Sequence, residues 1–365
     1  MELERLLDVK DLTTVFEGDA GQLISVDHAS FHVNGGEVVC LVGESGCGKS
    51  VTSLSVMGLL PRSGHVTDGS VLFDGKELLG LSEQEMDELR GNRISMIFQD
   101  PLTSLNPVFT VGSQITESLR IHLHLSKPEA NARAERFLER VGMPDPARAM
   151  KKYPHELSGG QRQRVMIAMA LCCEPALLIA DEPTTALDVT IQAQIMQLLR
   201  GLQQETDMAL ILITHDIGVV AAMADRVLVM YAGQIVEEAP VRMLFHRPAH
   251  PYTKALLAAI PGVRDDADRT LFSIPGIVPE HYDRMTGCRF APRCKYRREA
   301  CMQPQKLQPV GVGTERAQGE SKSVYETDRS GKAHPSGRGK PADLTMGKAT
   351  AHLVRCCMAQ VLDRE

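Results

Sequence analysis

An eight-residue run, Gly43-Glu44-Ser45-Gly46-Cys47-Gly48-Lys49-Ser50, constrains this chain more than any other feature. Its glycine spacing, ending in Lys and Ser, is that of a phosphate-binding loop. Such a loop works only between a buried strand and a helix, and both flanks are present. Glu37 to Val42 is a β-branched apolar run, and a helical pattern starts at Lys49. The glycines let backbone N–H groups face phosphate oxygens, and the helix N-terminus adds positive potential. Lys49 would neutralise the terminal phosphates and Ser50 would ligate Mg²⁺. A chance Gly-rich turn is the bland alternative, and the flanking strand and helix argue against it.

The rest of the chain reads as α/β. Residues 5–40 and 66–99 form an N-terminal antiparallel β region, with a hairpin at Asp74-Gly75. Residues 102–173 turn helical, and Ser126-Lys127-Pro128-Glu129 matches a capping box. Buried strands at Ala176 to Ala180 and Ala209 to Thr214, separated by a helix at Ile191 to Gln204, indicate a parallel sheet. A last hairpin follows Tyr231-Ala232-Gly233, and the Pro- and His-rich stretch His246 to Tyr252 marks a boundary. The expected units are a nucleotide-binding domain over 1–245 and a C-terminal extension over 246–365. Residues 311–350 are nearly free of large apolar groups and are expected to form a mobile loop.

With 43% hydrophobic residues in 365, the chain can bury a large core. A net charge of −6, with both signs interspersed, gives no basic field for nucleic acid. Apolar runs such as Met208 to Ile213 fall far short of a membrane-spanning helix. The acidic start, Met-Glu-Leu-Glu-Arg, does not resemble a signal peptide, so the expected location is the cytosol.

Asp181 and Glu182 follow the apolar strand Leu177 to Ala180, at the edge where ligands collect in open α/β sheets. Asp181 would hold Mg²⁺ through water, and Glu182 would act as general base on the attacking water. An ordinary acidic helix cap is the alternative. Leu157-Ser158-Gly159-Gly160-Gln161 opens another helix and offers a second anion site.

That last run resembles the signature of ABC ATPases, which other phosphate-loop enzymes lack. The resemblance implies a phosphate-loop NTPase core of the ABC type, with an antiparallel β subdomain, a helical subdomain and a small C-terminal extension. It also implies head-to-tail pairing, so that Ser158, Gly159, Gly160 and Gln161 meet ATP held by another subunit. Gln99 matches the glutamine that senses Mg²⁺ and water. Ala186-Leu187-Asp188 matches the loop at the dimer interface, and His215 the switch histidine, although a lone histidine is commonly structural. Phe16 is the candidate to stack on adenine, with core packing as its alternative.

Phe98 to Pro107, His250-Pro251-Tyr252-Thr253, Ile274-Pro275-Gly276 and Gly287-Cys288-Arg289-Phe290-Ala291-Pro292-Arg293-Cys294 narrow the resemblance to ATPase subunits of oligopeptide, dipeptide and nickel importers. It covers about Leu7 to Val310 and His352 to Cys356. The expected partners are a second ATPase subunit, forming a heterodimer, two permeases and an external solute-binding protein, at the cytoplasmic face of the membrane. That binding protein would choose among dipeptide, longer peptide, glutathione and nickel chelate, which this chain does not separate. A soluble ABC protein of translation or DNA repair would need two nucleotide modules or a long coiled coil, and neither is visible.

Nine cysteines in a reducing compartment are not expected to pair. Cys47 lies near a helix N-terminus that lowers thiol pKa, so it is expected either to react with thiol reagents, protected by MgATP, or to be a neutral replacement for Ser. Cys288, Cys294 and Cys301 are separated by five and six residues, and Cys356 follows much later. Four thiolates suit an iron–sulfur cluster or structural zinc, and Cys357 could replace Cys356 as a ligand. The family resemblance implies a 4Fe-4S cluster. Arg289, Arg293, Lys295, Arg297 and Arg298 would offset thiolate charge or form a solvated basic face.

Overall fold

The computed structural model describes residues 5–18, 21–100, 104–185, 187–259, 274–279, 281–310 and 351–359. The expected mobile loop, 311–350, lies outside them, as do Pro101 to Thr103 and Ala186. Strands β1 (Arg5–Gly18), β2 (Gly21–Asn34), β4 (Gly64–Phe73) and β5 (Lys76–Glu77) form an antiparallel sheet ordered β2-β1-β4-β5. Asp74 and Gly75 make the β4–β5 turn, both with positive φ, as a two-residue hairpin of this hand requires.

The second sheet is centred on parallel strands β3 (Val38–Val42), β8 (Ala209–Ile213), β7 (Leu177–Asp181) and β6 (Ile94–Ile97). On the other side of β3, strand β9 (Arg226–Tyr231) is also parallel and turns back into antiparallel β10 (Gln234–Pro240). The parallel strands read as unbroken apolar runs because both faces are covered. Val38, Cys40 and Val42 pack toward the helices, and Val39 and Leu41 toward the antiparallel sheet. Each large side chain fully buried there contributes roughly 1.5–3 kcal/mol of transfer free energy.

Helices Val111–His122 and Lys127–Arg140 build the helical region against the signature helix, Gly159–Leu171. Glu129 closes the expected capping box, accepting from the Ser126 N–H at 2.9 Å. Beyond β10 the chain returns to this same sheet. Strand β12 (Leu353–Val354) pairs with β10, and β11 (Gln308–Pro309) pairs with β12. Glu237, fully buried, accepts from the N–H groups of Ala249 and His250, each at 2.8 Å, and meets His352 Nε2 at 2.7 Å. Among the described residues no helix is long and apolar enough to cross a membrane.

Arg226 pins the two sheets together from a site 1% exposed. Its guanidinium donates to Glu37 at 2.8 and 3.0 Å, to Glu238 at 2.5 Å and to the His32 carbonyl at 2.6 Å. Burial drives the Glu238 carboxyl above its ordinary pKa, while bonding to Arg226 outweighs burial at Glu37 and holds that one below. Removing one partner of a buried ion group strands the others without compensation. Arg226→Met should therefore destabilise the chain by about 3–5 kcal/mol, read as a lowered urea midpoint, and a midpoint equal to wild type would show the pin to be dispensable.

Candidate nucleotide site

Four strand ends build the site. The registers Leu41 with Ile213, Asp181 with Ile213 and Ile97 with Ala180 align the C-terminal ends of β3, β8, β7 and β6 at one edge. The residues that follow are Gly43, His215, Glu182 and Gln99. Gly43 has no room for a side chain, since a Cβ there would lie 2.1 Å from the Met230 carbonyl oxygen. Gly48 caps helix Lys49–Met57 with φ of 104°, a left-handed conformation that favours glycine. Lys49 is 5% exposed, and its Nζ donates to the Gly43 and Glu44 carbonyls, each at 2.9 Å.

Asp181 is 4% exposed and sits beside the Ser50 hydroxyl. Burial pushes its carboxyl above the usual range, partly offset by the Ser50 hydrogen bond and the Lys49 charge. Its Oδ1 is buried with no hydrogen-bond partner among the described residues. A buried, unpaired carboxylate oxygen next to a hydroxyl is a donor set that suits Mg²⁺.

Glu182 gathers the remaining candidates. Gln99 Nε2 donates to its carboxylate at 3.1 Å, Thr185 Oγ1 donates at 3.0 Å, and His215 Nδ1 lies 3.2 Å away. The Glu182 backbone has φ of 44°, a strained conformation for a side-chain-bearing residue, held by its N–H bond to Ile213 at 2.9 Å. Thr185 is a partner that the sequence did not reveal, since the second of two threonines after Asp-Glu-Pro carries no motif weight of its own.

Ser158 caps the signature helix, with its backbone N–H bonded to Gln161 Oε1 at 3.2 Å and the Gln161 N–H bonded to Ser158 Oγ at 3.3 Å. Among the described residues no hydrogen bond or ion pair joins Ser158, Gly159, Gly160 or Gln161 to the phosphate loop. Asp188 caps helix Val189–Thr206, accepting from the Ile191 N–H at 2.9 Å. Phe16 lies half-buried on β1 with its ring over Gly64, where a Cβ would approach within 2.8 Å.

Glu44 and Ser45 complete the loop, and Glu44 brings in residues of the C-terminal region. Arg293 forms a two-pronged pair with its carboxylate, and the Tyr252 hydroxyl accepts from its backbone N–H at 2.9 Å. Arg289, also buried, pairs with Asp27 at 2.6 Å. These two arginines therefore serve the core, and the expectation that the whole basic run is solvated or spent on thiolates is corrected for them. Position in the sequence did not reveal this, because their partners are 249 and 262 residues away.

Cys288, Cys294, Cys301, Cys356 and Cys357 line one cavity of about 10 Å³. Burial and neighbouring thiols raise Cys356 to about 12 and Cys288 to about 11. Among the described residues no three Cys, His, Asp or Glu side chains stand in a metal-holding arrangement. The sulfurs are turned to local partners. Cys301 accepts from the Arg298 N–H and Cys356 from the Met358 N–H, each at 3.4 Å, and Cys301 and Cys357 lie 3.6 Å apart. Five thiols thus line one cavity without standing in a metal-holding arrangement, and Cys356 and Cys357 are both among them.

Of the two readings of Cys47, a reactive thiol or a neutral replacement for Ser, burial favours the second. Its side chain is 1% exposed within the core, and burial raises its thiol pKa despite Lys49 Nζ at 3.8 Å. Native Cys47 should resist iodoacetamide with or without MgATP and become labelled only on unfolding, as read by peptide mass spectrometry. Fast native labelling that MgATP blocks would favour the reactive thiol instead.

Residues 26–185 match the family model described as ABC transporter, and residues 236–301 match that of the oligopeptide/dipeptide transporter C-terminal region. The chain is 54% identical to a probable peptide ABC transporter ATP-binding protein of Sinorhizobium fredii, covering 81% of this chain and 89% of that protein. It is 52% identical to the dipeptide transport ATP-binding protein DppD of Escherichia coli, covering 81% and 90%. Among solved structures, a dimeric ATP-binding cassette bound to ADP and Pi matches with TM-score 0.59 and 29% identity, covering 65% of this chain and 99% of that one. With a phosphate loop, an acidic strand end and an ABC signature on one scaffold, this chain belongs to the ATP-hydrolysing, ATP-binding proteins of ABC transporters.

Proposed function

We propose that this chain energises a membrane importer for peptides, working at the cytoplasmic face with a second ATPase subunit, two permeases and an external solute-binding protein. The match of residues 236–301 to the peptide-importer C-terminal region supports the peptide branch. Residues 1–245 serve as the nucleotide-binding domain and 246–365 as the extension. The observation that carries the hydrolytic assignment is the convergence of Gln99, Thr185 and His215 on Glu182, beside buried Asp181.

In the proposed reaction, the loop from Gly43 to Ser50 cradles the phosphates with its N–H groups, and Lys49 neutralises the terminal oxygens. Ser50, Asp181 and Gln99 would hold Mg²⁺, which would neutralise developing phosphate charge. Glu182 accepts a proton as water attacks the γ-phosphorus and the bond to the β-phosphate oxygen breaks, with Gln99, Thr185 and His215 fixing its carboxylate. Ser158, Gly159, Gly160 and Gln161 grip the γ-phosphate of ATP bound by the partner subunit, and Asp188 lies at that interface. Phe16 supplies a face for adenine.

The thiols of Cys288, Cys294, Cys301 and Cys356 would hold a thiolate-ligated centre, a 4Fe-4S cluster. Such a centre supplies cross-linking of segments far apart in sequence. Zinc is its alternative.

Glu182→Gln in the assembled transporter should lower ATP turnover at least about 100-fold, the scale of general-base catalysis, while MgATP binding persists. Turnover at the wild-type rate would remove Glu182 as the base. Reconstituted with its partners, the complex should accelerate ATP hydrolysis when its solute-binding protein is loaded with peptide, and acceleration by nickel chelate alone would move it to another importer branch. Protein purified without oxygen should contain iron and acid-labile sulfide, both lost in Cys294→Ser. Stoichiometric zinc without iron would replace the cluster assignment.

A further inference from the structure

Glu44 places a carboxylate inside a loop built to receive several negative charges, and like charges at such range repel. The structure shows how that charge is managed. Arg293 Nη1 donates to Glu44 Oε2 at 2.7 Å and Nη2 to Oε1 at 3.1 Å. Arg293 is itself fixed, since its Nε donates to the Pro275 carbonyl at 3.0 Å and its Nη1 reaches the Tyr231 hydroxyl at 3.3 Å. Its side chain is only 6% exposed, so the pair is screened far less than a surface salt bridge. Burial opposes the Arg293 charge, but the bond to Glu44 outweighs it and the pKa moves up.

The backbone of Glu44 is held as firmly. Its N–H donates to the hydroxyl of fully buried Tyr252, and its carbonyl accepts from Lys49 Nζ, both at 2.9 Å. Tyr252 packs against Tyr231 and Phe290, with ring centroids 4.7 and 5.5 Å apart. The carboxylate and the N–H of one phosphate-loop residue are thus both held by side chains of the C-terminal extension. A bidentate guanidinium fixes orientation as well as charge, which an ammonium would not do.

We propose that Arg293 is a positioning residue for MgATP binding, neutralising Glu44 and holding the phosphate loop in its receptive shape. The inference rests on the nucleotide-site reading given above. It makes the C-terminal extension part of the ATP site and not merely an appendage to it.

The test measures binding of a fluorescent ATP analogue, with Mg²⁺, to the full chain. Arg293→Ala should raise the Kd about tenfold, the scale expected for losing a partly buried charge-assisted bond. Arg293→Lys, which keeps charge but loses the fork, should raise the Kd about threefold to fivefold and stands in should the alanine variant fail to fold. Adding Glu44→Gln to Arg293→Ala should recover most of the affinity by removing the stranded carboxylate. A Kd for Arg293→Ala or Arg293→Lys within twofold of wild type, or a double variant no better than Arg293→Ala, overturns the proposal. Lys49→Ala serves as the control, because unchanged affinity there would instead remove the nucleotide-site reading itself.

Discussion

Parallel pairing of β3, β8, β7 and β6 is the constraint from which the site follows. A parallel strand ends at the same edge as its neighbours, so residues separated by more than a hundred positions arrive side by side. The register sets Asp181 opposite Ile213 and Ala180 opposite Ile97, leaving Glu182, His215 and Gln99 to extend past the sheet together. A shift of one residue in β7 would turn its side chains to the other face and take Asp181 away from Ser50. The apolar runs that enforce the register are thus as much part of the chemistry as the carboxylates.

Much of this was legible in the sequence. Strong short-range patterns carried it, in the loop from Gly43 to Ser50, the unbroken apolar strands and the capping box at Ser126, whereas the reading of 66–99 as antiparallel β missed the helix Glu83–Leu89 and the parallel pairing of Ile94–Ile97. Glu182 was found because it follows a buried apolar strand, whereas Gln99 and His215 were found through the family resemblance, each lying two residues beyond its strand. Ser158 was also visible as a helix start, while Asp188 was reached through the family resemblance, though capping alone would explain both residue types.

What was hidden depends on contacts distant in sequence. Cys47 has the sequence surroundings of an activated thiol, but burial opposes the helix dipole and the Lys49 charge, and burial wins. Arg289 and Arg293 belong to a run that reads as a basic surface. Their selection by Asp27 and Glu44 requires the fold, because nothing in the local pattern distinguishes them from Arg297 and Arg298. Thr185 was missed for the related reason that a hydroxyl acquires its role only from the carboxylate it meets.

The C-terminal extension shows how such distant contacts are made specific. Glu237 is buried, and its carboxylate is satisfied by two backbone N–H groups at the entry to helix Pro251–Ala258 and by His352 at the entry to β12. One acid on β10 therefore fixes both segments of the extension that bracket the cysteine cavity. From this anchor, helix Pro251–Ala258 presents Tyr252 to the Glu44 N–H, while the turn Ala291–Arg293 presents Arg293 to the Glu44 carboxylate. Leaving Glu237 partly unsatisfied would cost the desolvation of a buried charge. The extension consequently docks in one way, and that single docking is what allows residues so far along the chain to shape a loop near its beginning.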